Sequence, residues 1–432
     1  MAFGSAALSE RCDFEPYWWR AAPLEARQTS TDPPPAADVA IVGAGITGLV
    51  AALHLARGGR QVVVLDSGPP GHGASTRNAG YVGRTLKHGF GELMNSRGLA
   101  FARAIYGELM DAFVAVKETV EREKIACHYR QQGRFLMATS PVMYEAMTRE
   151  FSLREKHLGE AFAAVTRAEQ ASEIATRRYF GGVRIDDHAG LHPGLYHQGL
   201  LSAARRAGAT VVGHAAVLGV TGGAGAFRLA TRRGPVAARE LIFATNGYGD
   251  NAWPWLRRRV MSFDAYQTVS RPLGEAQVRE LMPTDRTYID WNFNVDWLRR
   301  VPGDPTRIVF GGLTGRRDQD LRIMAERLRL RLLRIFPDLG DLQFDSVWTG
   351  KCGGTFDLYP HIGRHDGIHF AVGYCFAGVP MGTFFGIKLA RRILGQKGGE
   401  SAFDRPLPTM PFYWGSPWFV PAAISWLSRH DR

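Results

Sequence analysis

Disulfide chemistry has little to work with in this chain. Its 432 residues carry four cysteines, Cys12, Cys127, Cys352 and Cys375, and no C-x-x-C pair. That pattern excludes a disulfide framework or a thiolate zinc site and fits a reducing compartment, so a cytoplasmic location is expected. Long apolar runs are missing as well. No stretch of about eighteen uninterrupted apolar residues occurs, so no integral membrane segment is expected. The nearest approach, PFYWGSPWFVPAAISWL from Pro411 to Leu427, is broken by three prolines and a glycine. It is expected to pack on the body or lie at a surface. The opening MAFGSAALSERCDFEPYWW lacks a basic start followed by an apolar core, so no signal peptide is expected. Acidic residues are in the minority, 41 against 53 basic, for a net charge of +12. Basic pairs and triplets such as Arg257-Arg258-Arg259 and Arg316-Arg317 come without a nucleic-acid motif. They are read as solvated faces, with no nucleic-acid partner, although a modest attraction for anionic substrates or membrane surfaces stays open.

What is present is an ordinary globular composition, 45% hydrophobic and 22% charged, at a length that suggests two domains. Residues 38–66 read DVAIVGAGITGLVAALHLARGGRQVVVLD. Asp38 to Val42 is a short apolar run suited to a buried strand. Gly43, Gly45 and Gly48 follow with G-x-G-x-x-G spacing. They would permit the tight turn, the backbone approach to a pyrophosphate, and close helix–strand packing. A helix is predicted from about Ile46 to Arg57, ended by Gly58-Gly59, and a second strand from Gln61 to Leu65. Asp66 at its end could accept hydrogen bonds from ribose hydroxyls. The pyrophosphate would sit at the helix N-terminus, where free N–H groups favour an anion. Strand, helix, strand and acid in register predict a bound dinucleotide, FAD or NAD.

Further along, GPPGHGASTRNAGYVG (Gly68 to Gly83) is a long glycine-rich loop of the kind that lets backbone approach a ligand. Residues 91–170 look mostly helical, 183–250 return to an α/β pattern, 256–345 hold strand-like stretches and one helix, and 346–396 return to glycine-rich loop, strand and helix. The expectation is an α/β fold in which a Rossmann-type nucleotide domain (38–90, 185–255 and 346–398) interleaves with an α+β substrate domain of mixed sheet and helices (91–184 and 256–345). A leader (1–37) and a C-terminal tail (399–432) flank them. Glycine-rich elements at the start, middle and end would converge on one long ligand, which favours FAD over NAD.

These motifs, in this order, resemble the D-amino-acid oxidase type FAD-dependent oxidoreductases, and within them the γ-glutamylputrescine oxidoreductase group. The likeness covers nearly the whole chain: YWW in the leader, DVAIVGAGITGL, GASTRNAG, ATNGY, VWTGKCGGTFDLYPHIGR and GYCFAGVPMGTFFGIKLA. It implies non-covalent FAD held by Gly43, Gly45, Ile46, Thr47, Gly48, Asp66 and Ser67. The flavin side would be lined by Ala74, Ser75, Thr76, Arg77, Asn78, Ala79 and Gly80, with Ser75 near the pyrophosphate. Val217 would touch adenine, and Ala244, Thr245 and Asn246 would form a flavin-side turn. Gly378, Val379, Pro380 and Met381 would lie against the isoalloxazine, where backbone N–H groups can stabilise negative charge on reduction. The chain departs from the group at Thr76 and Ala79, and in carrying Cys375-Phe376-Ala377 where smaller residues are usual. Phe376 could reshape the substrate mouth.

The implied reaction is oxidation of an amine or amino acid: the C–N bond becomes an imine by hydride transfer to flavin N5, then hydrolyses or cyclises. O2 or another acceptor reoxidises the flavin, with H2O2 as the product if it is O2. Sarcosine-type relatives place a lysine over the flavin on a strand resembling TRIVFGG. Here Val309 occupies that position, and Lys351 is the candidate catalytic lysine. Tyr266, Tyr288, Trp291 and Trp348 could wall an alkylamine, together with Phe376. Covalent flavin attachment through Cys352 is disfavoured, because its position is offset by two residues. His361, His365 and His369 recur every fourth residue, but Pro360, Gly363 and Gly367 argue against a helix there and so against a metal site. Alternatives left open are a dehydrogenase using another acceptor, a non-catalytic flavoprotein subunit, an NAD-linked enzyme and an RNA-modifying flavoprotein. A monomer or homodimer is expected.

Overall fold

The computed structural model describes residues 6–25, 32–315 and 319–430, so Arg316 and Arg317 fall outside the described residues. The fingerprint builds the middle of an eight-stranded sheet. Ala36–Val42 lies between Val62–Leu65 and Val236–Phe243, all parallel, and Thr210–Val212 extends the sheet beyond Val62–Leu65. The outer edge of Val236–Phe243 is shared. Its first half pairs with the hairpin of Val217–Thr221 and Phe227–Thr231, and its second half with Ile368–Val372. The Val-rich central strands are buried on both faces, as parallel strands must be when helices cover them.

The covering layer explains the odd composition of helix Ile46–Arg57, whose residues are almost all buried. Helix Gly378–Ile393 packs on it closely enough that a Cβ on Gly386 would lie 2.8 Å from the Thr47 carbonyl oxygen. Helix Leu99–Glu123 joins the same core through Ala102, Ile105, Leu109 and Val116. Residues 91–123 therefore pack with the nucleotide layer, which moves the expected domain boundary at 91. Their apolar face meets the helices of that layer, not the second sheet.

The second sheet has nine strands, in the order Leu8–Asp13, Phe344–Gly354, Met261–Ser270, Asp304–Gly312, Trp297–Val301, Thr287–Asp290, Arg134–Met137, Gly182–Ile185 and Ala163–Val165. Helix Leu321–Ile335 covers one face, burying Met324, Leu328 and Leu332 against Tyr266, Tyr288 and Phe310. The other face looks toward the nucleotide sheet. Two further boundaries shift. Residue 346 lies inside the strand Phe344–Gly354, whose pairing with Met261–Ser270 keeps it in the second sheet. The expected leader is built into the body: Leu8–Asp13 pairs in parallel with Phe344–Gly354, and Trp18 is fully buried with its indole N–H on the Asn78 carbonyl at 2.9 Å. The tail docks too, with Phe403 fully buried. His361 and His365 lie on one strand of a tight antiparallel hairpin and His369 on the other, and His361 Nε2 contacts the Asp357 carboxylate at 2.9 Å. No helix among the described residues is long and apolar enough to cross a membrane.

Candidate functional site

A long crevice runs between the two sheets, about 1840 Å³ of non-atom space with its open mouths included. One end is made of backbone. Gly43 has φ +107°, a left-handed conformation that disfavours any side chain, and a Cβ there would also lie 2.9 Å from the Ala244 carbonyl oxygen. A Cβ on Gly48 would collide with the Gly43 carbonyl oxygen. Gly48 therefore sits behind the crevice and sets the turn without lining it. Asp66 is nearly buried and ties the loop together, accepting from Ala44 N–H at 2.7 Å and Gly68 N–H at 3.1 Å. His72 stands 3.3 Å from the same carboxylate, and this hydrogen bond raises its pKa. His197, buried and held neutral by that burial, donates from Nε2 to the Ala44 carbonyl at 2.8 Å.

Two helix N-termini open into the crevice, at Ile46 and at Gly378, and neither N-cap residue supplies a side-chain cap. Uncapped N–H groups and the helix dipole make each a place for negative charge. Ile46 N–H donates to Ser75 Oγ at 3.0 Å, and the Thr47 and Tyr374 hydroxyls, 2.7 Å apart, join the first helix to the last loop. Of the residues expected at the cofactor, Gly43, Gly45, Ile46, Thr47, Asp66, Ser67, Ala74, Ser75, Arg77, Asn78, Ala79, Val217, Ala244, Thr245, Asn246, Gly378, Val379 and Pro380 line the crevice. Four do not. Besides Gly48, Thr76 is buried with its hydroxyl donated to the Gly71 carbonyl at 2.6 Å, and it also accepts the Trp19 indole N–H. Gly80 turns at φ +72° against Leu191, and Met381 is buried in the core below the loop.

Arg77 acts at the seam between the sheets. Its Nε donates to the His72 carbonyl at 2.7 Å and its Nη1 to the Thr349 carbonyl at 2.9 Å, while its own carbonyl accepts from Gln267 and Trp348. Its guanidinium lies over the Trp19 ring at 4.7 Å, and burial lowers its pKa.

The other end of the crevice is made of side chains from the second sheet. Ala265, Val295 and Trp297 form a buried cluster there, with Ala79, Tyr81, Ile289, Cys352 and Phe376 packed against it. The Tyr81 hydroxyl contacts the Tyr288 and Leu298 carbonyls at 2.9 and 2.7 Å. Strand parity decides which aromatics reach this wall, because successive side chains point to opposite faces. Ile289 faces the crevice, so Tyr288 faces the helix core, where its hydroxyl reaches the Glu173 carbonyl at 2.8 Å. Ala265 faces the crevice, so Tyr266 is buried on the other side. Trp348 has the right parity but lies past the crevice, fully buried edge-on to Trp18. Trp291 packs on Phe151, 5.8 Å away between ring centres, in a separate cluster. Of the five aromatics expected at the substrate, the structure brings only Phe376 to the crevice. Tyr81 and Trp297 occupy the wall instead. A signal for Trp297 was available in the Gly311-Gly312 pair of the neighbouring strand: a Cβ on Gly311 would collide with the indole, and a glycine inside a strand marks close approach.

Phe376 is presented under strain. Cys375 and Phe376 have φ of 40° and 77°, two consecutive side-chain-bearing residues in left-handed backbone. Lys87 Nζ sits 5.2 Å from the Phe376 ring centre. Lys351 lines the crevice on the opposite flank, its Nζ 5.9 Å from the centre of the Tyr248 ring. That ring contacts His72, beside Asp66, so Lys351 belongs with the nucleotide end and not with the aromatic wall. Cys352 is half-buried, and desolvation pushes its pKa up to about 12. Arg134 also lines the crevice, donating to the Thr287 and Thr85 hydroxyls at 3.2 Å each. Burial pulls its pKa down to about 10, and it has no carboxylate partner among the described residues.

A crevice with a glycine-built anion end, a ribose-positioned carboxylate and a second open helix N-terminus matches a long dinucleotide. Comparison with known proteins agrees. Residues 38–392 match the DAO family model, described as FAD dependent oxidoreductase, and the chain belongs to that family. It is therefore an FAD-dependent oxidoreductase. It is 31% identical over 405 residues to the γ-glutamylputrescine oxidoreductase of Escherichia coli (strain K12), covering 91% of this chain and 93% of that one. Among solved structures, glycine oxidase from Geobacillus kaustophilus shares the fold with a TM-score of 0.71 at 21% identity, over 88% of this chain and 99% of that chain. L-proline dehydrogenase from P. horikoshii also gives 0.71, at 17% identity, over 90% and 99% of the two chains.

Proposed function

We propose that the aromatic end of the crevice binds a neutral amine and that this chain oxidises its C–N bond to an imine, which water then hydrolyses or which cyclises. The observation that carries this reading is the composition of the wall. Tyr81, Ala265, Ile289, Val295, Trp297 and Phe376 are apolar or aromatic and include no carboxylate to hold a cationic ammonium. A desolvated amine placed there would lose its proton before reacting. Bound FAD would supply the hydride acceptor, and O2 is the proposed oxidant for its recovery, giving H2O2.

The chain's own residues position and exclude. Asp66 holds the nucleotide loop, and the first-turn N–H groups of the helices that start at Ile46 and Gly378, beyond the Ile46 N–H held by Ser75, offer donors to anionic parts of the cofactor. Those residues and Ser67, Ala74, Ser75, Asn78, Ala79, Val217, Thr245, Asn246, Val379 and Pro380 are the proposed cofactor contacts. Trp297 and Phe376 would exclude water from the reacting carbon. Non-covalent attachment follows from Cys352, a neutral thiol at physiological pH and hence a poor nucleophile. Lys351 is assigned to charge balance at the nucleotide end. Arg134 gives the substrate end a donor for a carboxylate or amide oxygen, so amines bearing such a group are the favoured class. A cytoplasmic location is proposed, since four scattered cysteines without a C-x-x-C pair suit a reducing compartment.

The test is anaerobic bleaching of the flavin by a panel of alkylamines, γ-glutamylated amines, N-methyl amino acids and D-amino acids, with the best substrate repeated in air and peroxide measured. Rapid bleaching followed by stoichiometric peroxide is expected. Bleaching without peroxide would replace oxidase by dehydrogenase, and no bleaching by any amine would reject the reading. In the same panel, Arg134→Met should raise KM about tenfold for carboxylate-bearing amines and leave simple alkylamines unchanged, the effect of losing one charge-assisted contact.

A further inference from the structure

The C-terminal segment is not used by this chemistry, and its surface is unusual. Among the described residues, half of the large apolar side chains left exposed lie between Met410 and Leu427. Phe412 is 89% exposed, Trp418 73%, Trp414 64% and Trp426 60%. This is a grouped patch, unlike the scattered exposed apolar residues normal for a soluble surface. The segment is nonetheless docked. Tyr413 donates to the Val260 carbonyl at 2.8 Å, and Val420 and Ile424 pack with Met261, Phe263 and Cys375. So the inner face is satisfied and the outer aromatics remain.

Charge singles out the occupant. Residues 405–430 contain no Asp or Glu. Arg258 stacks over the Trp414 ring at 3.5 Å, Arg257 lies against Gly415, and exposed Arg429 follows the helix Val420–Leu427. Tryptophan next to arginine, without acids, suits the headgroup zone of an anionic bilayer, where indole is both apolar and a donor and each arginine gains from the surface potential. A second copy of the chain fits less well, since isologous pairing would bring the same arginines together.

We propose that this segment is a peripheral membrane-docking surface that binds anionic lipid through Trp414, Trp418 and Trp426 with Arg257 and Arg258. The inner-face anchors of the segment, Tyr413, Val420 and Ile424, share one packed cluster with Phe376, so lipid binding would occur beside the aromatic end of the crevice. The proposal does not depend on the substrate reading.

The experiment is flotation of the full-length flavin-loaded protein with phosphatidylcholine vesicles, with or without phosphatidylglycerol. Binding is expected only with phosphatidylglycerol and should be reversed by salt. Combined Trp414→Ser, Trp418→Ser and Trp426→Ser, and separately Arg257→Gln with Arg258→Gln, should each weaken it about tenfold or more, with flavin absorbance and the thermal midpoint retained. If the triple variant does not fold, the arginine pair and Trp426→Ser alone carry the test. The proposal is overturned by equal partition of wild type and arginine variant, by absence of binding at low salt, or by a tryptophan-dependent dimer in ultracentrifugation without lipid.

Discussion

The two ends of one crevice are built by different means. The nucleotide end is backbone: a left-handed glycine, a helix packed without room for a methyl group, and N–H groups gathered by Asp66. The aromatic end is side chains drawn from strands of the second sheet and from loops hundreds of residues apart. The first demands particular residues at fixed spacing, because a Cβ in the wrong place meets a backbone oxygen that cannot move. The second needs only suitable volume and polarity on the right face, so its residues can vary while the fold holds. On the proposed reading, the difference separates the residues that would hold the cofactor from those that would select the substrate.

That contrast can be broken, most sharply at Gly48. Gly48→Ala should lower flavin retention more than about tenfold, because overpacking against backbone costs roughly 3 kcal/mol or more at such a site. Retained yellow colour after purification, with an unchanged thermal midpoint, would show that the turn tolerates the methyl group.

A smaller effect separates the two faces of the second sheet. Trp297→Ala should keep its flavin and shift kcat/KM for the best amine by about tenfold to a hundredfold, the usual range for losing a packed positioning contact. Tyr288→Phe, on the opposite face, should leave kinetics alone and lower stability by about 1 kcal/mol through its lost hydrogen bond to Glu173. Kinetic damage from Tyr288→Phe exceeding that from Trp297→Ala would contradict the parity argument.

The effect that is smallest at neutral pH, and grows only on acidification, concerns a histidine that serves the scaffold. His192 caps the helix Pro193–Arg206, its Nδ1 accepting the Leu195 N–H at 3.2 Å, and burial lowers its pKa to about 4. An unfolded histidine titrates near 6.5, so between about 6.5 and 4 the unfolded chain binds more protons and stability falls as pH falls. At pH 5 this amounts to on the order of 2 kcal/mol. His192→Asn keeps a capping acceptor and removes the titration, so its thermal midpoint should drop less than that of the wild type between pH 7 and pH 5. Parallel curves would place the acid sensitivity elsewhere, for instance at His54, whose pKa is also near 4.

Legibility followed the same divide. Strand, turn, helix and Asp66 were readable at 38–66 because each depends on neighbours in sequence. The loop Gly73–Gly80 and the run Gly378–Pro380 were readable as motifs. Tyr266 and Tyr288 were aromatic and in the right strands, yet each faced away by one residue, and nothing local states which face of a strand looks at a ligand. Trp18 was visible as part of YWW, but that it closes the seam by donating to Asn78 required the leader to be laid beside Phe344–Gly354.

By itself the sequence determined the nucleotide-binding turn, the FAD-dependent family and the layered α/β architecture, since these rest on spacing, glycine geometry and hydrophobic period. Only the tertiary structure decided which side chains wall the far end, that Lys351 stands beside Tyr248 and not above the wall, and that the C-terminal aromatics point outward beside arginines. Those outcomes depend on sheet parity, on which surfaces meet, and on burial, and all three arise from contacts between segments far apart in the chain.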